Sequence, residues 1–183
     1  MKIGIIGAGR IGKVHARNIT HFVPQLQIKS IADPFMNPEM EQFAKELGIP
    51  HTCKDPQELF RDPEIQAVLI CSSTDTHADL IHQAAAAGKH IFCEKPIDHD
   101  LDKIKAVLEE VRKAGVKYQV GFNRRFDRNF KHVHEVVQSG GIGDVQIVKV
   151  TSRDPEAPPL SYVKVSGGIF VDMTIHDFDM VRY

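Results

Sequence analysis

The chain has 183 residues, 42% hydrophobic and 26% charged, the balance of an ordinary folded protein and not of a disordered segment. Lysine and arginine number 23 against 24 aspartate and glutamate, a formal charge of −1, so there is no surplus positive charge for holding nucleic acid. This length predicts one domain plus part of a second. The three cysteines, Cys53, Cys71 and Cys93, lack C-x-x-C spacing, which argues against a disulfide framework and a structural zinc site. The glycine-broken start, interrupted by Arg10, is unlike a secretory signal, and no apolar run approaches the ~18 residues of a membrane span. A reducing, cytoplasmic compartment is the expectation.

Apolar runs and amphipathic segments alternate along the first two thirds of the chain. Residues 2–6 read as a buried strand, 10–22 as a helix, 27–32 as a strand and 37–47 as a helix stopped by Gly48. Then come a strand over 67–71, a helix over 74–87 closed by Gly88, a strand over 90–93, a helix over 101–114 closed by Gly115, and a strand over 117–121. Residues 127–138 read as a further helix. Such alternation implies right-handed βαβ crossovers: an α/β, Rossmann-type doubly wound parallel sheet with helices on both faces.

The pattern changes after Gly143-Asp144. Residues 145–153 are rich in β-branched side chains and predict a partly covered strand. The proline-rich stretch 154–160 predicts a loop, and Gly167-Gly168 opens a last helix over 169–183. The expected division is residues 1–121 for a dinucleotide-binding domain and 122–183 for the start of an α+β second domain. A lone strand leaves its ladder groups unpaired, so the second domain reads as incomplete, or completed by another chain.

Gly7-Ala8-Gly9-Arg10-Ile11-Gly12 is G-x-G-x-x-G between a strand and a helix, the context that makes it a dinucleotide fingerprint. Gly7 permits the tight turn, Gly9 lets backbone approach a pyrophosphate, and Gly12 lets helix and strand pack closely. The helix N-terminus at Arg10, Ile11 and Gly12 presents N–H groups to phosphate. The bland alternative is a glycine-rich turn with no ligand. Asp33 ends the second strand, where a carboxylate accepts ribose hydroxyls and repels a 2′-phosphate, favouring NAD over NADP; otherwise it starts the Asp33-Pro34 turn. Ser73, Thr74, Thr76 and His77 follow the strand over 67–71 and could contact cofactor, although Ser73 or Thr74 would also serve as a helix cap.

Glu94-Lys95-Pro96 follows the next strand, where a lysine can hold an alkoxide or carbonyl oxygen by charge; outside such a site, Glu-Lys pairs are ordinary surface charges. Asp172 and His176, four apart, share one face of the expected last helix. Histidine is suited to accept a proton near neutral pH, and a neighbouring carboxylate can orient it. An ordinary acid–histidine pair and a metal site are the alternatives. Against metal, no third convergent ligand is visible, and His132 and His134, two apart, do not face each other.

Together, GAGRIG (7–12), EKP (94–96) and the D-x-x-x-H of DMTIHDFD (172–179) resemble the glucose–fructose oxidoreductase/inositol dehydrogenase family over the whole chain. GFNRRFD (121–127) and SGGIFVDMTIHD (166–177) resemble its myo-inositol 2-dehydrogenase branch. The resemblance implies an NAD(P)-binding Rossmann domain, a substrate domain on an open antiparallel sheet, and oxidation of a ring hydroxyl of a polyol or sugar to a ketone. It makes Lys95 the residue holding the reacting oxygen, His176 the base and Asp172 their partner carboxylate. It places Glu94, Lys95 and Asn123 among the cofactor contacts, and Lys95, Arg124, Asp172 and His176 among the substrate contacts.

Family members run to about twice the Rossmann length. The expectation is therefore a chain that binds NAD and turns over poorly, derived from a full-length homo-oligomer. A non-catalytic NAD-binding domain, or a dehydrogenase for another sugar, sugar acid or a biliverdin- or dihydrodiol-like ring, is the competing reading.

Overall fold

The structure, a computed structural model, describes residues 1–153, 156–164 and 166–183. It divides into two compact units, Met1–Gly121 and Phe122–Tyr183.

Unit 1 is built on six parallel strands: β1 (Lys2–Ile6), β2 (Gln27–Ala32), β3 (His51–Cys53), β4 (Ala67–Ile70), β5 (His90–Cys93) and β6 (Tyr118–Val120). Their order is β3-β2-β1-β4-β5-β6. The helices are α1 (Arg10–Phe22), α2 (Pro38–Glu46), α3 (Gln57–Arg61), α4 (His77–Ala86) and α5 (Leu101–Ala114). Every residue of β4 is buried, as expected for a central strand covered on both faces. Strand side chains alternate between the faces. Ile3, Ile5 and Leu69 pack with Ala16, Ile19 and Phe43 of α1 and α2, while Ile6, Val68 and Ile70 pack with Leu59, Leu80 and Ile81 of α3 and α4. Gly4 has no side chain because Leu59 occupies the space: a Cβ there would lie 2.6 Å from Leu59 Cδ2.

The strands and long helices of this unit follow the apolar pattern, with two elements the pattern omits. β3 has no apolar run and becomes a strand by pairing Ser30, Ile31 and Ala32 with His51, Thr52 and Cys53. α3 is a single short turn that buries Leu59 and Phe60. The expected helix over 74–87 opens instead as a 3-10 turn at Thr74–Thr76 before α4.

Unit 2 holds a 3-10 turn at Asn123–Phe126, then α6 (Arg128–Gln138), α7 (Leu160–Val163), α8 (Ile169–Asp172) and α9 (Ile175–Arg182). Asp127 caps α6, its Oδ1 accepting the N–H groups of Asn129 and Phe130 at 2.9 and 3.1 Å.

Two expectations for this unit are corrected. Residues 145–153 do not form a strand, and they are exposed, Ile147 by 87%. β-structure requires a partner ladder, and among the described residues none pairs with this segment. In the expected loop over 154–160, Asp154 and Pro155 lie outside the described residues, while Leu160 begins α7.

The expected helix over 169–183 is broken at Met173-Thr174. The Thr174 hydroxyl donates to the Phe170 carbonyl at 3.2 Å, and its amide bonds one residue further back, to the Ile169 carbonyl at 2.9 Å. A threonine that back-bonds to the preceding turn bends a helix in this way. Among the described residues, no helix is long and apolar enough to cross a membrane.

Candidate functional site

The turn after β1 sits at the point where strand order reverses, between β1 and β4, with their carboxyl ends side by side. Open parallel sheets bind ligands at this place. Gly7 has φ of 101°, and a Cβ there would lie 2.6 Å from the Cys71 backbone, so the residue must be glycine on both counts. A Cβ on Gly12 would overlap the Gly7 carbonyl oxygen. Gly9 is the reverse case: its backbone is extended, and no other described heavy atom lies within 4 Å of where its Cβ would be.

α1 begins at Gly9 with no side-chain cap and no acid in its first turn among the described residues. Its positive end therefore faces open space lined by the Arg10, Ile11 and Gly12 amides, a cradle that fits a dinucleotide pyrophosphate.

Asp33, just past β2, closes one side of this cradle. It is buried, and its Oδ2 accepts the Ala8 N–H at 2.7 Å while Oδ1 accepts the Phe35 N–H at 2.8 Å. A carboxylate has about four acceptor sites, so this orientation leaves capacity for ribose hydroxyls.

The segment after β4 is organised differently from the sequence reading. Neither Ser73 nor Thr76 makes a side-chain cap bond. The Thr76 hydroxyl instead donates to the Ser73 carbonyl at 2.7 Å and lies 2.6 Å from Ser72 Oγ. Thr74 stands in the 3-10 turn. His77, expected among the cofactor contacts, is 1% exposed, with its ring nitrogens 2.7 Å from the Pro96 carbonyl and 3.1 Å from the Ser72 carbonyl. Both nitrogens are used inside the protein, so its role is to tie the turn after β4 to the turn after β5.

Glu94 and Lys95 leave the carboxyl end of β5, and the Lys95–Pro96 peptide is cis. Lys95 is half-buried. Glu94 Oε1 accepts from His15 Nε2 at 2.7 Å, and the His15 ring meets Phe92 edge-on at 5.3 Å. Sequence reading passed over His15. The available signal was helical spacing, which puts it on the same side of α1 as Gly12 and Ile19.

In unit 2, Asn123 is exposed in its 3-10 turn. The Arg124 guanidinium pairs with Asp177, reaches Ser152 Oγ at 3.3 Å and lies over Phe130. Asp172 ends α8 and accepts from the Tyr162 hydroxyl at 2.7 Å. His176 is in the first turn of α9, its ring perpendicular to Phe122 with centroids 6.5 Å apart. The break at Thr174 puts Asp172 and His176 on separate short helices, which corrects the expected shared helix face. Arg125 grips Asp179 with two hydrogen bonds of 2.8 and 2.6 Å. Arg125 and Asp177 were not singled out from the sequence, and Asp179 was read only as extending the face of Asp172 and His176, because ion pairs across more than fifty residues leave no local pattern.

A parallel sheet of this order, with an open glycine cradle and an oriented acid at its switch point, defines an NAD-binding Rossmann protein. The chain belongs to the GFO/IDH/MocA oxidoreductase family: residues 1–122 match its NAD-binding Rossmann fold and residues 130–183 its C-terminal domain. It is 49% identical over all 183 residues to the myo-inositol 2-dehydrogenase of Thermotoga maritima, of which it covers 54%. Among solved structures, it matches a probable dehydrogenase from Thermotoga maritima with a TM-score of 0.95 at 49% identity, covering all of this chain and 54% of that one. It also matches the scyllo-inositol dehydrogenase of Lactobacillus casei with bound NAD(H) and scyllo-inositol, with a TM-score of 0.91 at 36% identity, covering 100% and 55% of the two chains. The chain thus spans about half the length of the relatives it matches.

Proposed function

We propose that this chain carries the cofactor-binding and proton-transfer residues of an NAD-dependent dehydrogenase that oxidises a ring hydroxyl of a cyclic polyol to a ketone. Myo-inositol, giving 2-keto-myo-inositol, is the favoured substrate. When bound, NAD supplies the hydride acceptor. Gly7, Gly9 and Gly12 with the amides of Arg10 and Ile11 hold the pyrophosphate, and Asp33 accepts the ribose hydroxyls and disfavours a 2′-phosphate. Ser73, Thr74, Thr76, Glu94 and Asn123 border the cofactor.

The Lys95 ammonium holds the reacting oxygen as it gains negative charge. His176 takes the hydroxyl proton, and Asp172 is the carboxylate that steadies Lys95 and His176. Arg124 contributes to substrate binding. Residues 1–121 act as the NAD-binding domain and 122–183 begin the substrate domain. The protein works in the cytoplasm as a homo-oligomer.

The observation that carries this reading is the 49% identity to a myo-inositol 2-dehydrogenase over the full 183 residues. The test is NADH absorbance on mixing the chain with NAD and myo-inositol. The expected result is inositol-dependent NADH formation that His176→Ala abolishes. NAD binding without inositol-dependent reduction would instead support a binding-only domain, and unchanged turnover in His176→Ala would remove the assigned base.

A further inference from the structure

We infer that His51, Cys53 and Glu58 form a binding site for a zinc-class divalent ion at the outer edge of the sheet. One ligand atom from each of these residues lies within 4.8 Å of the other two. The arrangement follows from the fold. β3 is the edge strand, so His51 and Cys53, two apart, project to the same face. The short connection into α3 then returns Glu58 over that face.

The chemistry of the three groups is consistent. His51 Nε2 and Glu58 Oε2 lie 3.8 Å apart, too long for a hydrogen bond. Two ligands each about 2.1 Å from a shared ion can span that distance. The other imidazole nitrogen, Nδ1, is 3.0 Å from Ser30 Oγ. Ser30 is buried on β2 directly opposite His51 in the register. In the tautomer where Nδ1 donates to Ser30, the Nε2 lone pair is bare, and this is the outer hydrogen bond that metal-bound histidines use.

Cys53 is buried, with Sγ 4.0 Å from the same Ser30 hydroxyl, so Ser30 adjoins two of the three ligands. His51 and Glu58 are half-exposed and can rotate to close on an ion, whereas Cys53 is fixed. On binding, the thiol proton leaves to solvent, and thiolate plus carboxylate balance the charge of a divalent ion. A thiolate and an imidazole select zinc and its neighbours over magnesium or calcium. His51 and Glu58 border a cavity of about 300 Å³ whose walls also include Lys29, Ser30 and Asp62, so there is room for water beside these two ligands. A search for C-x-x-C spacing passes over this site, because its sequence trace is only His51-x-Cys53 and the third ligand comes from the next helix.

The site is separate from the glycine cradle, so its test is independent of the proposed dehydrogenase activity. The untagged 183-residue chain is titrated with Co²⁺, followed by displacement with Zn²⁺. The expected result is one ion per chain, with a near-ultraviolet thiolate-to-cobalt band and the visible bands of a four-coordinate ion. Cys53→Ser removes the thiolate band. His51→Gln and Glu58→Gln, at exposed positions that leave the core intact, each weaken binding by about tenfold or more. Cobalt binding without a thiolate band, a band that survives Cys53→Ser, or affinities unchanged in both exposed variants would each overturn the assignment.

Discussion

Arg125 and Asp179 meet as a two-pronged pair, the guanidinium Nε and Nη2 donating to the two carboxylate oxygens at 2.8 and 2.6 Å. Asp179 is buried, and the Arg125 guanidinium also lies over the Tyr183 ring, which in turn stacks on His134 of α6 at 4.0 Å. These contacts fasten α9, the helix that carries His176.

Removing the guanidinium leaves a buried carboxylate without its donors. Arg125→Ala is expected to destabilise unit 2 by about 1–3 kcal/mol, and Arg125→Lys to recover only part of it, because lysine lacks the planar fork. Hydrogen exchange measured by mass spectrometry reads this as lost protection over residues 175–182. Protection unchanged in Arg125→Ala would show that other contacts hold α9.

The two glycines of the cradle separate folding from binding. Gly12→Ala drives a methyl group into the Gly7 carbonyl and is expected to lower the melting temperature of unit 1, at a cost of about 1–3 kcal/mol. Gly9→Ala meets no neighbour and is expected to melt like the parent. Its methyl group stands in the open space assigned to the pyrophosphate, so NAD affinity should fall about tenfold or more. Calorimetric melting and NAD titration on the same samples check both. Normal NAD affinity in Gly9→Ala would place the phosphates elsewhere.

Asp33 is oriented by hydrogen bonds from the Ala8 and Phe35 amides at 2.7 and 2.8 Å. Asp33→Asn keeps the size and removes the charge that repels a 2′-phosphate. We expect the ratio of NAD to NADP affinities to shift toward NADP by about tenfold, through weaker NAD and stronger NADP binding. Paired titrations with the two cofactors decide it, and an unaltered ratio would mean that Asp33 serves only its turn.

Acid should weaken unit 1 through a surface ion cluster. Lys29 Nζ lies 2.5 Å from Asp62 and 2.5 Å from Glu64, and Lys2 also pairs with Glu64. The hydrogen bond from Lys29 holds the Asp62 carboxyl below its ordinary value, and those from Lys2 and Lys29 do the same for Glu64. Folded carboxyls with depressed values bind fewer protons than unfolded ones. Their stabilisation is therefore complete above the unfolded range near about pH 4–4.5 and is lost as pH falls through the folded values. The melting temperature should drop below about pH 4.5, and Glu64→Gln or added salt should shrink that drop. A drop identical in parent and Glu64→Gln would assign the acid sensitivity to other groups.

The parallel sheet, its glycine turn and the acid after β2 are legible in the sequence because each has a local cause. Isoleucine-rich runs buried on both faces read as strands, and Gly7, Gly9 and Gly12 stand in one short string whose spacing between a strand and a helix announces the turn. Family membership was legible for a similar reason, since GAGRIG, EKP and D-x-x-x-H are short strings in fixed order.

What only the tertiary structure decided depends on partners distant in the chain. β3 exists because β2 lies beside it, and residues 145–153, although richer in β-branched side chains, stay irregular and exposed because no ladder among the described residues meets them. His77 reads as a polar residue near a cofactor until the Pro96 and Ser72 carbonyls close on it from two turns. The pairing of Arg125 with Asp179 was likewise set by folding. Hydrogen bonds and ion pairs between residues far apart in sequence impose no periodicity on the residues between them, and so no pattern in a single sequence announces them.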